Sequence, residues 1–174
     1  MRQTGGSSAP PLSFRSLVAA DLSSLVSFYL RLDFDARRHR FCGAISDNSI
    51  RQHCDELNLG QSVVLGCFDA ACLTATVELH PLFDDWEEAE LAVAARHSSH
   101  TTNTLGHLLQ LAAFVAGGRG CRTLIVPFTA REHRLIDLLR GMGRARVHDD
   151  GARVDISEYA SLREVSHPRN GQAA

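Results

Sequence analysis

Lysine does not occur in this chain: all eighteen basic residues are arginine, a bias that fits a GC-rich coding sequence. Excess positive charge is missing too, the net charge being −2, which excludes the basic footprint of a nucleic-acid binder. No apolar run approaches the ~20 residues that span a bilayer, and residues 1–11, MRQTGGSSAPP, lack the charged and apolar regions of an export signal. A cytoplasmic protein without membrane segments is expected. The five cysteines, Cys42, Cys54, Cys67, Cys72 and Cys121, are odd in number and form no C-x-x-C pair. They are expected to be small buried hydrophobes in a reducing compartment rather than disulfide partners or metal ligands. No internal repeat is present.

What is there is ordinary for a globular domain: 174 residues, 44% hydrophobic and 22% charged, enough for one sizeable core. The Gly, Ser and Pro content of residues 1–11 predicts a disordered leader. Residues 12–165 form a single domain and 166–174 a polar tail. A first strand is predicted over 12–18. Asp21 then offers an N-cap to a helix carrying Leu22, Leu25, Val26, Tyr29 and Leu30 on one side. The arginine-rich segment 37–40 reads either as a solvated face or as a patch steering an acidic partner or a phosphate. Ser46 or Asp47 can cap a second helix to about 57, with Ile50 and Leu57 inward. Residues 62–68 and 72–79 around a polar turn make an antiparallel hairpin, and the acidic segment 81–88 is a loop. Beyond it lie a strand over 123–126 ended by Pro127, an amphipathic helix over 131–142, and a last hairpin, 144–148 with 152–157, signalled by Asp150-Gly151.

Between them, residues 89–118 read as a short apolar strand over 90–95, a polar turn over 96–104 and a helix over 105–116 stopped by Gly117-Gly118. A loop feeding a helix N-terminus is where backbone N–H groups and the helix dipole hold an anion, which suggests a phosphate-bearing ligand. The histidines of this stretch, His97, His100 and His107, have no Cys or carboxylate at a supporting spacing, so no metal site is expected.

The run Ala89-Glu90-Leu91-Ala92-Val93, followed without a gap by Leu108-Leu109, resembles the acetyl-CoA-binding core of the GNAT acetyltransferase superfamily, and most closely its bacterial protein-lysine acetyltransferase branch. There a strand of the type Ala-Glu-Phe-Ala-Val runs into a Gln-Gly-x-Gly-x-Gly loop and a helix opening with Leu-Leu. Arg40-Phe41-Cys42-Gly43 resembles the branch's Arg-Phe-Phe-Gly segment, and Gly141-Met142-Gly143 its Leu-Gly-Phe turn. The resemblance covers about residues 12–157. It implies an α/β fold, a mixed, mostly antiparallel sheet with helices on both faces, and transfer of acetyl from acetyl-CoA to an amine acceptor, a protein lysine being one candidate. The chain itself, without lysine, offers no such side chain. Donor-site positions carried over are Val93, Ala95, His100, Thr101, Thr102, Asn103, Leu105 and Gly106. Glu90 falls at the family's base. Acyl transfer needs a neutral amine, so a carboxylate made more basic by its apolar setting suits that role. Glu78, on the neighbouring strand, is the second candidate.

The departures lie in the loop. His100 stands at the family's Gln, and Thr101, Asn103 and Leu105 stand at its three glycines, where left-handed backbone costs a residue with a Cβ roughly 1–2 kcal/mol. Asn103 tolerates that conformation best, and the hydroxyls of Thr101, Thr102 and Thr104 could donate to phosphate instead of lost N–H groups. Glu132 and Leu139 stand where relatives carry an Asn and a Tyr. Two functions therefore follow from the sequence: an N-acetyltransferase that grips its donor with side chains, or a non-catalytic module of the same fold that binds a protein partner or another ligand.

Overall fold

The computed structural model describes residues 12–96, 101–127 and 133–159. The expected leader over 1–11, the tail over 166–174, His97, His100 and Glu132 lie outside the described residues.

Among the described residues seven strands form one sheet: β1 (Ser13–Ser16), β2 (Val63–Asp69), β3 (Cys72–Pro81), β4 (Glu88–Ala95), β5 (Thr123–Pro127), β6 (Arg144–His148) and β7 (Gly151–Asp155), in the order β1-β2-β3-β4-β5-β7-β6. Every neighbouring pair is antiparallel except β4 and β5. The parallel pair requires a crossover, and the 18-residue helix α4 (Thr101–Gly118) supplies it. Strand alternation divides the core in two. On one face Val63, Leu65, Val77, Leu79, Ala89 and Leu91 pack with Leu108, Leu109, Ala112 and Ala116 of α4 and with Ile136 and Leu139 of α5 (His133–Met142). On the other face Val64, Phe68 and Ala94 meet Leu25, Phe28 and Tyr29 of α1 (Leu22–Leu30) and Ile50 and Cys54 of α3 (Asp47–Glu56). Gly66 lets these layers close, since a Cβ there would stand 2.6 Å from Leu17 Cδ1.

Several local expectations change. A helix that apolar periodicity does not announce, α2 (Phe34–Phe41), lies between α1 and α3. Asp33 caps it by accepting from Ala36 N–H at 2.8 Å, and Cys42 closes it with φ 53°. Ser46 caps α3 through Ser49 N–H at 3.1 Å. Asp21, expected to cap α1, makes no cap bond to it; its carboxylate accepts from Val18 N–H and pairs with Arg15 at 2.7 Å. That pairing, together with the Val18 bond, lowers the Asp21 pKa to about 2. Helix α4 starts at Thr101, four residues before the expected 105, and runs through Gly117 and Gly118 to a turn where Gly120 takes φ 98°. The cysteines divide as well, Cys42 and Cys72 being exposed and the other three buried. Among the described residues no helix is long and apolar enough to cross a membrane.

Candidate active site

The parallel pairing of β4 with β5 covers three positions, Glu88 with Thr123, Ala89 with Leu124 and Glu90 with Ile125, and stops there. Beyond Glu90 strand β4 continues to Ala95 and stays paired with β3 as far as Ala95 with Ala75. The two central strands thus part just past Glu90, and Pro127 ends β5 on the other side of the opening.

The backbone direction within β4 follows from its flanking bonds. Leu82 N–H donates to Glu88 O and Arg96 N–H to Thr74 O, so even-numbered residues turn their peptide groups toward β3. Arg122 N–H donates to Glu87 O, so odd-numbered ones turn toward β5. Val93 and Ala95 consequently direct their N–H and C=O groups into the opening. The chain then enters α4, whose first-turn N–H groups have no partner within the helix and carry the positive end of its dipole.

Of the loop positions, Thr102 and Asn103 are exposed on the first turn of α4, Thr104 is buried, and Leu105 and Gly106 are half-buried. None of residues 101–106 has positive φ, so Asn103 is not called on for the left-handed conformation its glycine counterpart provides. Thr104, being buried, offers its hydroxyl less readily to a ligand than the exposed Thr102 does. His107 is engaged with its own helix, Nδ1 lying 2.8 Å from Asn103 O, and its ring lies 5.6 Å from that of Phe14. Among the described residues no three His, Cys, Asp or Glu side chains converge as a metal site requires. Leu139, at the position of the family's Tyr, is fully buried in the core.

Glu90 lies on the face of β4 that looks toward α1–α3 and is half-buried. The fully buried carboxylate is Glu78, on the same face of β3. Arg40 of α2 pairs with it at 2.6 Å, the two side chains being 6% and 0% exposed. The segment 37–40 is therefore no simple solvated face: Arg37 bonds Asp47 at 2.7 Å and backbone carbonyls, and Arg40 is the counter-ion of a buried acid. Tyr29 O–H donates to Glu78 and lies 3.3 Å from Thr76 Oγ1. His53 Nε2 of α3 and His80 Nε2 reach Glu78 Oε2 at 3.1 and 2.8 Å, and Ser62 Oγ lies 2.9 Å from His80 Nδ1. Burial alone would raise the Glu78 pKa, but the Arg40 charge and the hydrogen bonds from His53 and His80 prevail and hold it well below the usual carboxylate range. The Tyr29 phenol is pushed up by burial and by the Glu78 charge. Burial raises the Cys42 pKa, and the neighbouring Glu90 carboxylate adds to the shift.

Sequence reasoning ranked Glu78 second and missed its partners. A Thr-x-Glu-x-His alternation, Thr76, Glu78 and His80, on a strand otherwise apolar was the available signal, since alternate residues share a face.

No protein-family model matches the chain, and no curated protein sequence matches it significantly. Solved structures do. The GNAT domain of S. lividans PAT is 21% identical with a TM-score of 0.62, over 81% of this chain and 87% of that one. An aminoglycoside 6'-acetyltransferase type Ii is 10% identical with a TM-score of 0.66, over 83% and 97%. The PaiA N-acetyltransferase from Thermoplasma acidophilum, in complex with coenzyme A, is 15% identical with a TM-score of 0.59, over 83% and 98%. The expected architecture is thus the one observed: the chain has the GNAT fold, a mixed, mostly antiparallel sheet with helices on both faces.

Proposed function

We propose that this GNAT-fold chain is an N-acetyltransferase that moves an acetyl group from acetyl-CoA to a primary amine, a protein lysine being the candidate acceptor. The observation that carries the reading is the parting of β4 from β5 immediately past a half-buried glutamate, with a helix N-terminus following the free half of β4. Acetyl-CoA would supply the activated thioester. Val93 and Ala95 offer backbone donors and acceptors to an amide-bearing arm laid along β4, as a further strand would use them. The first-turn N–H groups of α4, with the Thr102 hydroxyl, offer donors to phosphate.

The acceptor arrives as an ammonium and must lose a proton before its nitrogen can attack. Glu90, at the last paired position of β4, takes that proton directly or through water. Attack forms the amide bond and breaks the C–S bond. With Leu139 buried in place of a phenol, the departing thiolate takes its proton from solvent. The test is acceptor-dependent release of free thiol, together with Glu90→Gln. A base of this kind contributes about 10²–10⁴-fold, so turnover should fall at least about a hundredfold while acetyl-CoA affinity stays unchanged.

One observation favours a second reading, a non-catalytic module that binds a partner. Helix α4 is already formed at Thr101, where relatives begin a glycine loop, and Leu105 packs half-buried against the main core rather than leaving room for a phosphate. Under that reading acetyl-CoA leaves the melting temperature unchanged, and a partner or oligomer accounts for the surface.

A further inference from the structure

Strand register sets Glu90, Ile125, Arg153 and Arg146 in one row across the sheet: Glu90 pairs with Ile125, Ile125 with Arg153, and Arg153 with Arg146. Paired residues share a face, so all four look out from the side of the sheet that carries Glu90. The neighbouring row is Glu88, Thr123, Asp155 and Arg144. On β5 and β7 the alternate residues, Leu124, Val126, Ala152 and Val154, are buried in the core under α4 and α5, whereas Thr123 and Ile125 are half-buried and the three arginines exposed. On the Glu90 side, the core built with α1 and α3 draws on β2, β3 and β4 and on no residue of β5, β7 or β6. Among the described residues this half of the face is open, and it begins at Glu90.

The charges on this surface leave an anion wanting. Arg153 ion-pairs with Glu88 of β4, so its side chain lies back across β5 toward the site. Arg146 stands directly opposite Arg153, and like charges so placed weaken a sheet. Glu88 answers only one of the two. Asp155 is engaged by Ser157, accepting its N–H at 3.0 Å and its O–H at 2.6 Å. Arg144 and Arg146 form no ion pair among the described residues. A guanidinium offers five donors in a planar fork that fits a carboxylate, so Arg146, with the donors of Arg153 that Glu88 does not use, suits an acidic side chain brought from outside.

We propose that the open half of the Glu90 face is the docking surface of the acceptor protein, and that Arg146 and Arg153 select a segment with acidic residues close to the acceptor lysine. The inference rests on the acetyltransferase reading above and names its substrate class. Adjacent strands lie about 4.8 Å apart, which roots Arg153 about 10 Å and Arg146 about 14 Å from Glu90 along the row. An extended chain advances about 3.3 Å per residue. With the lysine amine at Glu90, the acidic residues therefore fall about three or four positions away. Ile125 and Thr123 floor the path between them. A row of this length exceeds the reach of a small amine, which is why a protein segment is the occupant it fits.

The test is acetyl transfer by the full chain to N-terminally blocked peptides with a single lysine, carrying glutamate, alanine or arginine at the third and fourth positions on both sides of it. For the wild type, kcat/KM should be about fivefold higher with the glutamate peptide than with the alanine one, the worth of an exposed ion pair or two, and added salt should shrink that advantage. Arg146→Glu should invert the order, making the arginine peptide the better substrate, while the KM for acetyl-CoA stays within about twofold. Arg140→Glu, the same charge change on α5 across the sheet, should keep the wild-type order. Charge of either sign blunts a sheet edge, so an Arg146 that serves only to protect β6 leaves the peptide order unaltered in Arg146→Glu, and that result overturns the proposal. So does an inversion shared by Arg140→Glu, or a wild type indifferent to flanking charge. If the wild type transfers acetyl to no peptide and to no small amine, the acetyltransferase reading fails and takes this inference with it. An active wild type without the charge preference defeats this inference alone.

Discussion

Replacing Glu78 with Gln should be among the most damaging single substitutions in the molecule. Glu78 is fully buried and Arg40 nearly so, 2.6 Å apart. Gln keeps the shape and removes the charge, leaving a guanidinium buried without its counter-ion. Breaking a buried pair from one side costs about 3–5 kcal/mol. For a domain of this size each kcal/mol moves the melting temperature by about 2–4 °C, so a fall of about 10 °C is expected, read by circular dichroism with urea titration alongside. The double variant Arg40→Met with Glu78→Leu removes both charges and should regain part of the loss, since apolar replacement of a whole pair is often neutral. Recovery stays incomplete because Tyr29, His53 and His80 still lose their acceptor. The acid limb carries the same information. Glu78 has its pKa depressed in the fold, so its contribution is fully present above the ordinary carboxylate range and is lost only as pH falls well below it. The wild type should therefore lose stability more steeply than Glu78→Gln in that acid window. A Glu78→Gln protein within about 1 kcal/mol of wild type, or a double variant no better than either single one, would refute the reasoning.

Other expectations follow from the fold. A thiol reagent at mild alkaline pH should modify the exposed Cys72 and Cys42, the latter slowed by the rise in its pKa from burial and Glu90, and spare Cys54, Cys67 and Cys121, which are buried, burial pushing Cys54 and Cys121 up to about 11. Gly151→Ala should cost about 1–3 kcal/mol in chemical denaturation, because its Cβ would stand 2.5 Å from Val126 O across the β5–β7 pairing. Ala70→Gly should act in the opposite direction, raising stability by up to about 1 kcal/mol, since Ala70 closes the β2–β3 turn at φ 53°.

Much of the fold was legible because its elements announce themselves locally. The β2–β3 hairpin, the β4–α4 crossover and the β6–β7 hairpin each have strong periodicity or turn chemistry. Helix α2 was not legible, since FDARRHRF has no apolar stripe, and its inward-facing residue is an arginine whose burial depends on a carboxylate 38 positions later. The start of α4 was misplaced because Thr, Thr, Asn and Thr favour turns in isolation, and the tertiary packing of Thr104 overrides that preference. Glu90 is an expectation carried by the family resemblance, and it lies at the last paired position before β4 and β5 part. The histidines and Tyr29 around Glu78 come from two helices, α1 and α3, and from the end of β3, a convergence that sequence spacing does not encode.

The most direct measurement of the central claim is a calorimetric titration of the purified chain with acetyl-CoA and with desulfo-CoA, repeated on Thr102→Ala and Leu105→Gly. Micromolar binding to the wild type, weakened in Thr102→Ala, is expected if the free half of β4 and the start of α4 form a donor site. No heat from the wild type, with binding appearing only in Leu105→Gly, would contradict it and show a fold that has given up its ligand.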